Sequence, residues 1–98
     1  MILVRMTFQA KFGKAGELAN QFKTATRQMS ELYGGRSRVL TDLSGQFDTV
    51  VLEIEAENLA QWERNRPQMF ASPEFRESFG RTSELIQSGK AEFYTIEG

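Results

Sequence analysis

The chain contains no cysteine and no histidine. Without cysteine there is no disulfide framework and no thiolate nucleophile; without histidine the commonest transition-metal ligand and the commonest general base at neutral pH are missing too. Much of catalytic chemistry is thereby excluded. Neither sign of charge dominates: 12 Lys and Arg against 13 Asp and Glu leave a net charge of −1. Charges mixed in this way give no electrostatic footprint for nucleic acid or for an acidic membrane. Long hydrophobic runs are absent as well. The apolar opening Met1 to Phe8 is broken by Arg5 and Thr7. It has neither the length of a membrane span nor the order of a signal peptide, so a cytoplasmic location is expected.

What remains is an ordinary globular composition, 40% hydrophobic and 26% charged, with eight Phe, four Met and one Trp as the large apolar side chains. A chain of 98 residues buries roughly 60 to 70% of the surface exposed when unfolded, enough for a thin core. No linker, repeat or low-complexity segment interrupts it, and residues 1–98 read as one domain.

Residues 2 to 10 alternate, with Ile2, Val4, Met6, Phe8 and Ala10 on one face and Leu3, Arg5, Thr7 and Gln9 on the other, which predicts a half-buried strand. After Phe12-Gly13-Lys14, apolar residues recur at Ala15, Leu18, Ala19, Phe22, Ala25, Met29 and Leu32, the spacing of one helix face. Tyr33-Gly34-Gly35 ends that helix, since Gly reaches the left-handed conformation without steric cost. Arg36 to Ser44 and Phe47 to Ala56 predict a hairpin around Ser44-Gly45-Gln46. Asn58 caps a helix through Trp62, with Gln61 at the capping-box position, and Pro67 is expected to kink or interrupt it. Ser72-Pro73 restarts a helix whose face carries Phe75, Phe79, Thr82 and Ile86, and Gly89 is expected to close it. Residues 90 to 97 alternate as a last strand. The order predicts an α+β fold, ferredoxin-like βαββαβ, with a four-stranded antiparallel sheet and helices on one face.

One face of that sheet can be covered by the chain's own helices. The other carries Leu3, Arg5, Val51, Glu53 and Glu55, too apolar in places for water and too charged for a dry core. One solution is a homodimer in which two such faces meet, with Arg5 pairing Glu53 or Glu55 within or across the sheets. A solvated sheet face is the alternative.

These residues resemble the dimeric α/β-barrel superfamily, in particular its antibiotic-biosynthesis monooxygenase-like and NIPSNAP-like domains. The likeness rests on the opening strand into Phe12-Gly13-Lys14, on Arg38 to Gly45, on Val50 to Glu55, and on Leu59-Ala60-Gln61-Trp62 with Phe70 to Phe75. It covers essentially the whole chain and implies a dimeric α/β barrel with a pocket in each subunit between sheet and helices. The haem-degrading branch of the superfamily uses an Asn on the first strand, a Trp on the second helical segment and a His on the next helix. Of these the chain keeps Trp62, with Met6 at the Asn position and Phe79 near the His position, so the resemblance does not extend to haem degradation through a His ligand. Cofactor-independent oxygenation, in which a deprotonated aromatic substrate supplies the reactive carbanion, is the monooxygenase-like activity that the resemblance leaves.

The candidate pocket is Met6, Phe22, Trp62, Phe75 and Phe79, a soft aromatic lining suited to a small apolar or aromatic ligand. Plain core packing is the other reading of the same five residues. The indole N–H of Trp62 wants a partner, which a pocket edge supplies; Tyr33 and Tyr94 are further polar handles. Glu53, Glu55 and Asp42 read as a salt-bridged face rather than a metal site. Arg36, Arg38, Arg64 and Arg66 read as surface charges rather than an anion site. No metal, cofactor, nucleic acid or membrane is expected, and the central strands offer no exposed aromatic on which bases would stack. A non-catalytic domain for self-association or protein binding is the alternative function.

Overall fold

A computed structural model describes residues 1–98, the side chains of Leu32 and Tyr33 excepted, so the polar handle expected at Tyr33 lies outside the described residues. The elements are β1 (Ile2–Ala10), α1 (Ala15–Tyr33), β2 (Ser37–Thr41), β3 (Thr49–Ala56), α2 (Leu59–Ala71), α3 (Pro73–Ser83) and β4 (Ile86–Thr95). The strands form one antiparallel sheet in the order β2-β3-β1-β4, the ferredoxin-like arrangement with the second helical segment divided in two. Among the described residues no helix is long and apolar enough to cross a membrane.

Register follows the alternation of side chains. Val4 pairs with Ile54, Met6 with Leu52 and Phe8 with Val50, so the apolar sides of β1 and β3 coincide and lie under the helices. Two clusters result. Ala10, Leu18, Ala19, Phe22 and Val50 form one, with the Phe8 and Phe22 rings 5.0 Å apart; Val4, Ala56, Trp62 and Met69 form the other.

Three details depart from expectation. Pro67 lies inside α2, which runs unbroken from Leu59 to Ala71. Proline removes one amide donor and leaves the carbonyl of Glu63 without its helical partner, but both residues are exposed, where water can replace a lost helical bond. The break comes instead at Ser72, whose hydroxyl accepts the Phe75 amide at 3.4 Å and caps α3. Gly89 does not close a helix: α3 stops at Ser83, and Ile86 and Gly89 both belong to β4. Gly89 sits opposite Phe8, where an added Cβ would come within 2.8 Å of the Phe8 ring, so glycine here serves close approach rather than a turn. The hairpin strands are shorter than their alternation suggests. β2 ends at Thr41; Asp42 still donates its amide to the Thr49 carbonyl at 3.2 Å, but its carboxylate rather than its carbonyl accepts the Thr49 amide, at 3.1 Å, and the turn uses positive φ at Gly45 (89°) and Asp48 (59°).

Candidate functional site

The start of α2 is held by two hydrogen bonds that place Trp62. Asn58 Oδ1 accepts the Gln61 amide at 2.8 Å, and Gln61 Oε1 accepts the Glu57 amide at 2.8 Å. With the start of α2 fixed, Trp62, Asn65 and Met69 fall on one helical face at three- and four-residue steps. That face turns toward Ile54 and Ala56 of β3 and Met29 of α1.

Between these elements lies a cleft of about 620 Å³, within the size range of small-molecule sites. Met29, Ile54, Ala56, Trp62 and Met69 supply its apolar lining. Thr26, Ser30, Arg36, Gln61 and Asn65 supply polar groups, and Glu55 and Glu57 border the cleft, although by the alternation of β3 the Glu55 side chain belongs to the opposite face. Trp62 is 7% exposed, yet no side-chain polar atom in the described structure is both buried and unbonded. Among the described residues the indole N–H has no partner, so it keeps some accessible surface and is open to an acceptor.

Of the five expected pocket residues, Trp62 lines this cleft. Met6 and Phe75 pack against the same cluster as Trp62 without lining it, whereas Phe22 belongs to the other cluster beside Phe8. Phe79 is 49% exposed on α3, stacked 6.4 Å from Phe75 and edge-on to Phe70 at 5.6 Å. Met29, Asn65 and Met69 were missed. Met69 was legible as the residue seven places after Trp62, but the expected interruption at Pro67 divided that face. Thr26 was hidden by its chemistry, a polar residue on α1 whose hydroxyl donates to the Lys23 carbonyl at 3.1 Å and is thereby fit for burial.

The opposite face of the sheet carries all five expected interface residues, Leu3, Arg5, Val51, Glu53 and Glu55. Glu53 is only 2% exposed, although it stands on the face without helices. Its two oxygens accept from Arg5 Nε at 2.8 Å and Arg38 Nε at 2.5 Å, and those side chains cover it. Burial pushes the Glu53 carboxyl up, but the hydrogen bonds from Arg38 and Arg5 outweigh it and hold the group below the ordinary carboxylate value. The same bond raises Arg5 above its ordinary value. Arg5 also lies over the Tyr94 ring at 5.3 Å, and Tyr94 donates to Glu92 at 2.6 Å. That hydrogen bond lowers Glu92 and raises Tyr94. Arg38, Glu53, Arg5 and Glu92 are register partners in turn, so one row of alternating charge crosses all four strands. Among the described residues no group of three acidic side chains forms a metal site.

A second cleft, about 640 Å³, opens on this face between Leu3, Arg38, Glu53 and Ile96. It shares Ser30, Arg36, Ser37 and Glu55 with the first, so the two meet at the start of β2.

The fold recurs in solved structures. An uncharacterised NIPSNAP domain protein from Burkholderia xenovorans matches with a TM-score of 0.84 at 18% identity, over 98% of this chain and 94% of that one. A NIPSNAP family protein from Agrobacterium tumefaciens matches at 0.86 and 15% identity, over 96% and 90%. A candidate antibiotic biosynthesis monooxygenase from Deinococcus radiodurans matches at 0.75 and 18% identity, over 100% and 94%. At these identities the shared property is the fold. No family model matches the sequence, and no curated protein does.

Proposed function

We propose that the chain is a homodimeric small-molecule-binding protein of the dimeric α/β-barrel type, taking an apolar or aromatic compound between sheet and helices. The observation that carries this reading is the cleft of about 620 Å³ that Trp62 lines among methionine and aliphatic side chains. A flat or chain-like apolar body suits that lining, because thioethers adapt to shape and the indole offers one directional contact. The charged residues bordering the cleft on its helix side, Arg36 and Glu57, are of opposite sign, which favours a ligand without strong charge. If the bound compound reacts, the chemistry open to these side chains is cofactor-independent oxygenation of a substrate acidic enough for a carboxylate to deprotonate.

Dimerisation through the open sheet face is part of the same reading. Its support is the alternating row Arg38, Glu53, Arg5 and Glu92, flanked by Leu3 and Val51, a surface that is close to neutral and self-complementary under a two-fold. Light scattering together with native mass spectrometry tests both halves. A dimer at micromolar concentration that retains a small molecule, or binds 1-naphthol with a change in Trp62 emission, is the expected result. A monomer that binds nothing overturns the proposal. A dimer that takes no ligand favours instead a domain for self-association, the reading to which the charged row alone would lead.

A further inference from the structure

We infer that the free edge of β4 is a docking strand for a second copy of the chain, which pairs antiparallel with it about Ala91 and extends the sheet sideways. The two edges of the sheet are unequal. β2 closes one side with five residues, whereas β4 closes the other with ten, most of them exposed. An exposed strand of that length is a template for another strand unless something blunts it. From Ser88 to Thr95 β4 contains no proline, and its register with β1 is unbroken from Ser88 onward. The direction of its backbone groups follows from parity. Ile96 donates its amide to the Met1 carbonyl at 3.1 Å, so the groups of Tyr94, Glu92 and Lys90 also turn toward β1, and those of Gly89, Ala91, Phe93 and Thr95 turn outward. Among the described residues no backbone bond reaches these outward groups from beyond the sheet.

The side chains select both the occupant and the register. With the two-fold at Ala91, Lys90 faces Glu92 of the second copy and Glu92 faces its Lys90. Lys90 Nζ already stands 3.6 Å from Glu92 Oε1 within one strand. The four charges therefore form a square in which every neighbour, along the strand or across it, has the opposite sign. Gly89 faces Phe93 of the copy, so a ring that is 48% exposed in the single chain is laid over a strand glycine without a side chain of its own. Moving the two-fold by one residue sets Lys90 or Glu92 opposite itself, and moving it by two sets no Lys opposite a Glu. The helices of both copies stay on the same side of the widened sheet, so the Trp62 cleft and the open face are left as they are. The edge is thus a different surface from the face-to-face dimer and does not depend on it.

The chain has no cysteine, so a single introduced thiol reports on this pairing without background. Ala91→Cys is expected to give a disulfide-linked dimer on mild oxidation, because Cα atoms opposed in a hydrogen-bonded pair lie about 5.5 Å apart, within disulfide reach. Thr95→Cys lies on the same side of the same strand but about 27 Å from its counterpart, at the rise of an extended strand, and is expected to stay reduced. Charge exchange gives a second reading. Lys90→Glu and Glu92→Lys each turn two opposite pairs into two like ones, and sedimentation equilibrium is expected to show association weakened by about tenfold in each. An equimolar mixture of the two variants is expected to restore it, since every Glu then faces a Lys. Cross-linking at both thiols alike, or at neither, refutes the pairing, and so does a mixture that associates no better than its components. Ala91 points to the side of the sheet that bears the helices, opposite to Arg5 and Glu92, so a dimer through the open face does not produce its disulfide. An open-face dimer in which Ala91→Cys stays reduced therefore sinks the edge pairing and leaves the proposed function standing.

Discussion

Arg5 Nε donates to Glu53 Oε2 at 2.8 Å across the central strand pair, and this bond joins two residues directly opposite in register. Arg38 takes the other oxygen from the neighbouring strand, so one carboxylate ties β1, β2 and β3 together on the face that carries no helix. Removing the carboxylate leaves two guanidiniums side by side without their shared acceptor. Glu53→Leu is therefore expected to destabilise the fold by about 1 to 3 kcal/mol, the range for loss of a charged hydrogen-bonding partner. Arg38→Ala is expected to cost under about 1 kcal/mol, because Arg38 is mostly exposed and Glu53 keeps Arg5. Urea unfolding of the two variants measures the difference; equal losses would contradict this ordering.

The depressed pKa of Glu53 has a consequence for acid stability. A carboxyl whose folded value lies below its ordinary value of 4.5 contributes stability in full above that value. The contribution is lost as pH falls through the lower, folded value. The urea midpoint is thus expected to drop below about pH 4.5, and Glu53→Gln is expected to flatten that drop. A variant with the same acid profile as the parent would place the lost stability in other groups.

Asp48 caps a helix to which it does not belong. Lys14 precedes α1 and supplies no side-chain cap, whereas Asp48 from the β2–β3 loop accepts the Gly13 amide at 3.0 Å and the Ala15 amide at 3.3 Å. Its negative charge also suits the positive end of the helix. Asp48 holds φ at 59°, a region that Asn and Asp tolerate better than most residues. Asp48→Ala is expected to cost about 1 to 2 kcal/mol from cap and backbone together. Asp48→Asn should cost less. Hydrogen exchange at the first turn of α1 reads the effect where it arises.

The fold was legible because each of its strong signals is local. Period-two alternation in β1 and β3, the spaced apolar face of α1, and the caps at Asn58 and Ser72 each follow from neighbours in sequence. Gly89 misled because glycine has two uses, a helix end and a close approach, and the ring of Phe8 that decides between them is 81 residues away in the chain. Pro67 misled because its cost depends on whether water reaches the freed carbonyl, which is a property of packing. The expected pocket residues share soft, apolar bulk, and the structure separates them: Met6, Trp62 and Phe75 pack in one cluster, Phe22 pairs with Phe8 in the other, and Phe79 stays half exposed on α3. Asn65 and Met69 line the cleft with Trp62 through a helix register that only an unbroken α2 preserves.

Gly89 offers a packing test. Opposite Phe8, any added Cβ approaches ring carbon Cδ1 at 2.8 Å, and Phe8 is itself held against Phe22. Gly89→Ala is therefore expected to destabilise by about 1 to 3 kcal/mol, as overpacking does. Phe8→Leu in the same protein should recover part of the loss, which a double-mutant cycle in urea would measure.

Trp62 is both core and cleft, and two substitutions separate the roles. Trp62→Ala removes a large buried side chain, and a loss of about 3 to 5 kcal/mol is a large share of the stability of a small domain. Its loss of ligand binding would then reflect unfolding. Trp62→Phe keeps most of the buried apolar area and removes the indole N–H, so it should stay folded. Calorimetry with 1-naphthol is expected to show about tenfold weaker binding, the equivalent of one net hydrogen bond near 1.4 kcal/mol. Unchanged affinity in the folded Phe variant would mean that the N–H faces water rather than the ligand, and that the cleft recognises its occupant by shape alone.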